Sequence, residues 1–266
     1  MKIDFQETTK DLAVRIDIHS KFGARDIDAW MLDLIKLQPG DVILDVGCGS
    51  GKQCFSYFDY LKGNADINGG DVSRDLLNQA IEKNKIRKSS IDFQYLDFNK
   101  SFKFESSHFD FVSCCFAIYY AEAFSFTIDE MFRITKPGGR LFTTGPMPQN
   151  KQLFYDIIRE ATQKEIPLMP GSSRYSTELL STIKSLYAKV EMHIFENPLH
   201  FDSVEPFIAY TRASMSEDRK LWGSFFQTKG DFEKIMNQIT AVAEKRLKAN
   251  GSLTMTKVVG GILATK

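Results

Sequence analysis

The stretch from Val42 to Gly51, Val-Ile-Leu-Asp-Val-Gly-Cys-Gly-Ser-Gly, constrains the fold of this chain more than any other part of it. It starts with an apolar run typical of a buried strand and continues with glycine at alternate positions, 47, 49 and 51. Glycine adopts backbone conformations that residues with a Cβ avoid, and it lets a ligand approach the main chain closely. A strand that runs into such a loop predicts a nucleotide-binding element of an α/β sheet.

The spacing of the glycines separates two kinds of nucleotide site. In the dinucleotide fingerprint G-x-G-x-x-G/A, the third small residue lies where the helix packs closely against the strand. Lys52 occupies that position here, and the third glycine, Gly51, comes one residue earlier. Because a long charged side chain fits badly at a close helix–strand contact, we disfavour a nicotinamide-dependent dehydrogenase.

The pattern Asp45-x-Gly47-x-Gly49-x-Gly51 resembles motif I of the class I S-adenosylmethionine-dependent methyltransferases. The resemblance is to the small-molecule branch, which includes the ubiquinone-biosynthesis type methyltransferases. Further along the chain, Asp71, Asp97 and the segment Lys136-Pro137-Gly138-Gly139 stand in the order that the family shows. This ordered series makes a purely structural turn a poor explanation of the glycine loop.

The resemblance implies S-adenosyl-L-methionine as the cofactor and assigns roles to particular residues. The Asp71 carboxylate would accept the ribose hydroxyls, and Asp97 would receive the adenine amino group, with a backbone amide supplied by its neighbour. The end of the fourth strand would lie beside the methionine part of the cofactor. The predicted cofactor-binding residues are Asp45, Gly47, Cys48, Gly49, Gly51, Asp71, Val72, Asp97, Phe98, Cys115 and Phe116.

Strands and helices alternate along the first half of the chain, which predicts a doubly wound, parallel α/β sheet. With the resemblance, the expected architecture is a Rossmann-like, mostly parallel seven-stranded sheet with a last antiparallel strand and a helical lid insertion. The predicted strands are 42–46, 66–71, 91–96, 109–115, 140–144, a short one at 190–194 and the antiparallel one at 256–264. The predicted helices of the first half are 26–38, 51–62, 73–85 and 127–134. In the second half, a loop is predicted from Pro167 to Tyr175.

We expect three parts in the chain. Residues 1–40 form an N-terminal helical lid segment, 41–198 and 253–266 form the cofactor-binding core, and 199–252 form a helical insertion over the acceptor site. The insertion of about fifty residues is rich in aromatic side chains, and loops of that length are usually functional in a compact domain.

Composition narrows the class of partner. The chain has 34 basic and 34 acidic residues, so it has no overall field that would attract nucleic acid. Its four cysteines lack the C-x-x-C spacing of a zinc site, and we predict neither disulfides nor a metal. No apolar run approaches the length of a membrane span. We therefore expect a soluble cytoplasmic protein that acts on a small molecule, without nucleic acid or membrane partners.

Two residues are the predicted catalytic candidates. His19 belongs to the N-terminal segment, which in the family often folds over the methionine end of the cofactor, although an ordinary exposed helix histidine is the competing interpretation. Tyr119 follows the fourth strand together with Tyr120, and one of the two tyrosines is expected to pack in the core. We expect methyl transfer by in-line displacement, to oxygen or nitrogen in preference to carbon. The alternative is a non-catalytic S-adenosylmethionine-binding or scaffold protein with the same fold.

Overall fold

The structure, a computed structural model, describes residues 9–166, 170–215 and 220–266. Seven strands form one sheet in the order β3-β2-β1-β4-β5-β7-β6. They are β1 Val42–Val46, β2 Asp66–Asp71, β3 Ile91–Tyr95, β4 Phe109–Cys115, β5 Thr135–Pro146, β6 Lys189–Phe201 and β7 Leu253–Thr265. Every neighbouring pair is parallel except those of β7, which runs antiparallel to both β5 and β6. This confirms the predicted fold class.

Ten α-helices accompany the sheet in the described residues. They are α1 Thr9–Phe22, α2 Ile27–Ile35, α3 Lys52–Tyr60, α4 Arg74–Arg87, α5 Phe124–Ile134, α6 Gln152–Thr162, α7 Pro170–Arg174, α8 Leu180–Leu186, α9 Glu205–Ser214 and α10 Asp231–Asn250. Side-chain caps explain where two of them begin. The Asp26 carboxylate accepts from the Asp28 amide at 2.8 Å ahead of α2, and the Ser73 hydroxyl accepts from the Leu76 amide at 3.4 Å ahead of α4. None of the helices in these described ranges is long and apolar enough to cross a membrane.

Helices cover both faces of the sheet, as the alternation of strand side chains requires. On β4, Val112 belongs to the core cluster that holds α5 and α8, whereas its neighbour Phe111 belongs to the cluster that holds α2 and α3. Both side chains are fully buried. Both faces of the central strands are therefore covered by helices. A ligand can reach these strands only where they end.

A third core lies outside the two faces of the sheet. Its members come from α1, α6, α9 and α10 and from the paired ends of β6 and β7, and they include Phe154, Phe207, Tyr210, Trp222 and Met255. The aromatic residues of the predicted insertion are thus packed against each other and against the N-terminal helix. Whether this body acts as a lid remains a prediction.

Several predicted boundaries were wrong. α5 begins at Phe124 rather than at 127, and β7 begins at Leu253 rather than at 256. β5 begins at Thr135 rather than at 140, because the glycine turn is accommodated inside the strand by a register shift opposite Phe109 and Phe111. β6 continues to Phe201, since it pairs with β7 along its whole length. Of the predicted loop Pro167 to Tyr175, residues 167–169 lie outside the described residues, and Pro170–Arg174 form α7.

Two glycines in β2 explain how this strand lies so close to its neighbour. A Cβ on Gly69 would lie 2.7 Å from Cδ1 of Phe93, and a Cβ on Gly70 would lie 2.7 Å from Cβ of Leu96. Side chains from β3 and the residue after it therefore fill the space that a side chain on β2 would need. β2 is paired regularly with β3 up to Asp71, and the side chains of Phe93 and Leu96 cover its two glycines.

Gly70→Ala is expected to destabilise the protein. The added methyl group must displace the Leu96 side chain in a packed core, which costs about 1–3 kcal/mol. Urea unfolding followed by circular dichroism measures the change. The matched control is Gly223→Ala, because Gly223 is exposed and a Cβ there meets nothing within 4 Å. Equal stability of both variants would contradict the packing account of β2.

Candidate functional site

The carboxyl ends of β1, β2, β3 and β4 meet at one edge of the sheet, and the glycine loop lies there. Gly47, Gly49 and Gly51 have φ values of +71°, +56° and +83°. All three are in the left-handed region, which residues with a Cβ rarely adopt. The alternate glycines of the sequence are therefore required by the backbone of the loop.

The surroundings of the three glycines differ, and the difference is informative. A Cβ on Gly47 would lie 2.6 Å from Cβ of Ala117, and one on Gly51 would lie 2.9 Å from the Phe93 ring. At Gly49 the nearest atom would be Cδ1 of Leu76, at 3.9 Å. The middle of the loop therefore presents its main chain to open space, where a ligand could lie directly on it.

The last residues of β2 hold the loop in place. The Gly70 carbonyl oxygen accepts from the amides of Gly47 at 2.7 Å and Cys48 at 3.0 Å. The Asp71 carboxylate accepts from the Gly49 amide at 2.8 Å through Oδ2 and from the Ser73 amide at 2.8 Å through Oδ1. A carboxylate oxygen accepts more than one hydrogen bond, so Asp71 retains capacity for ligand hydroxyls.

An apolar side chain is exposed directly beside this carboxylate. Val72, which directly follows the buried end of β2, is 57% exposed. Beyond β3, Asp97 is partly buried and pairs with Lys100 at 3.1 Å. The Phe98 ring approaches the loop, since its Cε1 atom would lie 3.7 Å from a Cβ on Gly47. The predicted adenosine-binding residues therefore lie along one edge, next to the glycine loop.

The end of β4 has an unusual backbone. Phe116 has a φ of +57°, a conformation that costs energy for a residue with a side chain. Its amide is held by β5, because it donates to the Thr144 carbonyl oxygen at 3.0 Å and to the Thr144 hydroxyl at 3.2 Å. The preceding Cys115 is buried, with its Sγ 3.9 Å from the Tyr57 hydroxyl. The chain is thus turned sharply at the point where the strand leaves the sheet.

Asp45 differs from the other predicted binding residues, because its side chain is enclosed by protein. It is 2% exposed, and its carboxylate accepts from the Ser113 hydroxyl at 2.6 Å. Burial, with a smaller contribution from the Asp71 charge, raises the pKa of Asp45 to about 7. The side chain therefore supports the strand beneath the loop from inside the fold.

His19 is not the exposed helix histidine of the competing interpretation. It is partly buried in α1, and its ring lies edge-on to Tyr210 with 5.5 Å between the ring centroids. Burial, followed by the charges of Lys257, Lys151 and Arg15, lowers the pKa of His19 to about 2. A group with so low a pKa stays neutral near pH 7 and is a poor proton acceptor.

Tyr119 is packed between its neighbours. Its ring centroid lies 4.6 Å from that of Tyr120, and a Cβ on Gly171 of α7 would lie 2.9 Å from its Cδ2 atom. Burial raises the pKa of Tyr119 well above its ordinary value. The two predicted catalytic residues therefore lie near the site, and their catalytic role stays a prediction.

A basic residue that no sequence motif indicated also lies at this site. Lys257, on β7, places its ammonium group 5.4 Å from the centroid of the Phe116 ring. Burial lowers the pKa of Lys257 to about 8, with a further contribution from Lys52. No sequence signal points to it, because it is separated from Phe116 by more than half of the chain and meets it only through the order of the sheet.

The strand order, the single reversed strand and the glycine loop after the first strand define a class I S-adenosylmethionine-dependent methyltransferase fold. The comparison with protein families agrees with this class. The family described as "Methyltransferase domain" matches residues 37–184, which is more than half of the chain. The chain belongs to this methyltransferase-domain family, which confirms the resemblance drawn from its motifs.

Individual proteins show how far the similarity extends. The ubiquinone/menaquinone biosynthesis C-methyltransferase UbiE of Desulfotalea psychrophila is 27% identical over 163 residues, which are 59% of this chain and 64% of that protein. The chain thus spans less than two thirds of the length of this curated relative. Among solved structures, the YcgJ protein of Bacillus subtilis has a TM-score of 0.58 at 15% identity and covers 90% of this chain and 97% of its own.

A second solved structure carries the cofactor. Phosphoethanolamine N-methyltransferase 2 of Haemonchus contortus, in complex with S-adenosyl-L-methionine, has a TM-score of 0.53 at 15% identity. The match covers 96% of this chain and 57% of that one. At such identities the two structures show that the fold is shared.

Asp45→Asn is expected to change how stability depends on pH. Between about pH 4 and about pH 7, Asp45 is protonated in the folded protein but ionised in the unfolded chain. The free energy of unfolding therefore falls as the pH rises through this range. Asparagine keeps an acceptor for Ser113 without a charge. The variant should therefore gain up to about 3 kcal/mol over wild type between pH 5 and pH 8, at about 1.4 kcal/mol per pKa unit.

Denaturant unfolding at several pH values between 5 and 8 measures this difference. Asp33→Asn is the control, since Asp33 is exposed on α2 and its substitution should leave the pH profile unchanged. A difference between Asp45→Asn and wild type that stays constant with pH would show that the buried carboxylate titrates normally.

Proposed function

We propose that this protein catalyses S-adenosylmethionine-dependent methyl transfer to a small organic acceptor by in-line displacement. The observation that carries the proposal is the open main chain at Gly49 beside the Asp71 carboxylate, which together form a cradle that a Cβ would fill. S-adenosylmethionine, when bound, supplies a methyl group on a positively charged sulfur. We further expect the enzyme to act in the cytoplasm. Because its balanced charge gives no overall attraction to nucleic acid, we expect the acceptor to be a small molecule.

The residues of the sheet edge fit the parts of this cofactor. The Asp71 carboxylate would accept the two ribose hydroxyls, and the exposed Val72 side chain would cover one face of the adenine. Asp97 and the Phe98 amide would bind the polar edge of the base. Cys115 and Phe116, where β4 ends, would lie along the methionine part. Gly47, Cys48, Gly49 and Gly51 would form the floor, with Asp45 supporting them from below.

The chain contributes orientation and exclusion of water more than proton transfer. Much of the rate of such a displacement comes from holding the reacting atoms in line and away from water. Burial lowers the pKa of His19 to about 2 and raises the pKa of Tyr119 well above its ordinary value, so we expect neither to be the base of the reaction. This favours an acceptor atom whose lone pair is available without deprotonation, such as a neutral amine or an ionised oxygen. We therefore favour oxygen or nitrogen over carbon, although the UbiE relative is named a C-methyltransferase.

The N-terminal segment and the insertion would form a lid over the acceptor. Asn197 of β6 holds the chain between α1 and α2, because its Oδ1 atom accepts from the amides of Ala24 at 2.9 Å and Arg25 at 3.1 Å. His19 then meets Tyr210 of α9. The two parts of the predicted lid, residues 1–40 and 199–252, are thus joined in their described portions.

Asp71→Asn is expected to weaken cofactor binding about 10- to 100-fold. The substitution removes the charge that strengthens hydrogen bonds from the ribose hydroxyls, a loss of about 1.5–3 kcal/mol. It also leaves only one side-chain oxygen to accept from the Gly49 and Ser73 amides, which loosens the loop. Isothermal titration with S-adenosylhomocysteine measures the affinity. Asp92→Asn is the control, because Asp92 is an exposed carboxylate on β3. Equal affinities of the two variants would remove Asp71 from the binding site.

Turnover distinguishes the enzyme from the scaffold alternative. Incubation with methyl-¹³C-labelled S-adenosylmethionine and a metabolite mixture should give S-adenosylhomocysteine and a labelled product. The carbon chemical shift of the product's methyl group shows whether oxygen, nitrogen or carbon was methylated. Cofactor binding without any turnover across broad acceptor mixtures would favour the non-catalytic protein.

A further inference from the structure

Four basic side chains meet beside the end of β4, and we call them the cationic cluster. They are Arg15 and His19 of α1, Lys151 between β5 and α6, and Lys257 of β7. All four are partly buried. Three distant segments of the chain, one from the predicted lid and two from the core, therefore bring positive or proton-donating groups to one place.

Lys257 connects the cluster to the methyl-transfer site. Its ammonium group lies 5.4 Å from the centroid of the Phe116 ring, and it makes no hydrogen bond or ion pair with any residue that the structure describes. The nearby carboxylate of Asp28 forms an ion pair with Lys52, whose Nζ atom lies 2.8 Å from Oδ2. A partly buried ammonium without a counter-ion costs free energy that folding alone does not explain.

His19 and Lys151 extend the cluster towards the insertion. The Lys151 ammonium lies 5.6 Å from the centroid of the Tyr210 ring, and the His19 ring lies 5.5 Å from the same centroid. The Nδ1 atom of His19 is buried and has no hydrogen-bond partner among the described residues. A neutral imidazole with an unused nitrogen can donate one hydrogen bond to a ligand.

The local field is positive at both ends of the cluster. After burial, the charges of Lys257, Lys151 and Arg15 are the largest causes of the lowered pKa of His19. After burial, the charges of Lys52 and Arg15 lower the pKa of Lys257, and the opposing effect of Asp28 is smaller. A group of partly buried side chains with such a field attracts anions.

We propose that the methyl acceptor is a small organic anion, a carboxylate or a phosphate monoester, whose charged group binds between Lys257 and His19 beside Phe116. The inference rests on the proposed function, since it names the class of acceptor for the same site. The acceptor's charge would offset the cost of Lys257, and the neutral His19 would orient it. The aromatic rings around Lys151 would contact the rest of the molecule.

S-adenosylmethionine also carries a carboxylate, which is a second possible anion for the cationic cluster. The position of the cluster distinguishes the cofactor from the acceptor. Lys151 lies 5.1 Å from the ring centroid of Phe154 and 5.7 Å from that of Tyr155, both on α6. Phe154 belongs to the third core and Tyr155 packs against it, together with the helices of the insertion, whereas the glycine loop follows β1. The cluster therefore extends from Phe116 into the predicted acceptor side, which favours the acceptor as the source of the anion.

The test uses the full chain saturated with S-adenosylhomocysteine and titrated with inorganic phosphate or benzoate as probe anions. Wild type should bind at least one probe anion, and Lys257→Met should weaken that binding about tenfold or more, since a charge-assisted contact is lost. Lys245→Met is the control, because Lys245 is exposed on α10. Affinity for S-adenosylhomocysteine should be the same in all three proteins.

The outcomes separate this inference from the proposed function. If wild type does not bind S-adenosylhomocysteine, the proposed function fails. If it binds S-adenosylhomocysteine but neither anion, or if Lys257→Met binds the anion as wild type does, the anionic acceptor is overturned. A loss of S-adenosylhomocysteine affinity in Lys257→Met, with unchanged affinity for 5′-methylthioadenosine, would assign the cluster to the cofactor's carboxylate and overturn it as well.

Thermal melting checks that the variant folds and adds an independent readout. Methionine keeps the packing of the lysine stem on Phe116 and removes the unpaired charge, so Lys257→Met should melt at a higher temperature than ligand-free wild type. Addition of phosphate should raise the melting temperature of wild type more than that of the variant. The reverse order in both measurements would show that Lys257 stabilises the fold and does not bind an anion.

Discussion

The site depends on one set of hydrogen bonds, those between the end of β2 and the glycine loop. The Asp71 carboxylate accepts from the amides of Gly49 and Ser73, and the carbonyl of Gly70 accepts from those of Gly47 and Cys48. These contacts fix two of the three left-handed glycines, Gly47 and Gly49, and the start of α4 relative to each other. They also leave the middle of the loop open, which makes the main chain available to a ligand.

Two charged groups near this edge show how the fold accommodates function. Asp45 is enclosed by protein, and burial raises its pKa. A carboxyl group that keeps its proton avoids part of the free-energy cost of burying a charge. Lys257 is an ammonium without a partner in the described residues, placed beside the strained Phe116. The first group supports the loop from inside, and the second points to a ligand that carries the missing negative charge.

Much of the fold and of the cofactor edge could be predicted from the sequence, because strong local signals mark both. The strands β1, β2 and β4 have the predicted bounds. β1 and β4 are apolar runs, and the end of β2 is marked by Asp71 and the Ser73 cap. The start of β5 and the length of β6 depend on pairing with distant strands, which local patterns do not encode. The cationic cluster was missed for the same reason, because α1, the turn at Lys151 and β7 meet only in the folded sheet.

The most direct test of the central claim is a parallel titration of the wild-type protein with S-adenosylmethionine and with the dinucleotide NAD. The account predicts saturable binding of S-adenosylmethionine at one site per chain and no binding of NAD, because Lys52 stands where the dinucleotide fingerprint has a small residue. Binding of NAD, or no binding of S-adenosylmethionine to the folded protein, would contradict it.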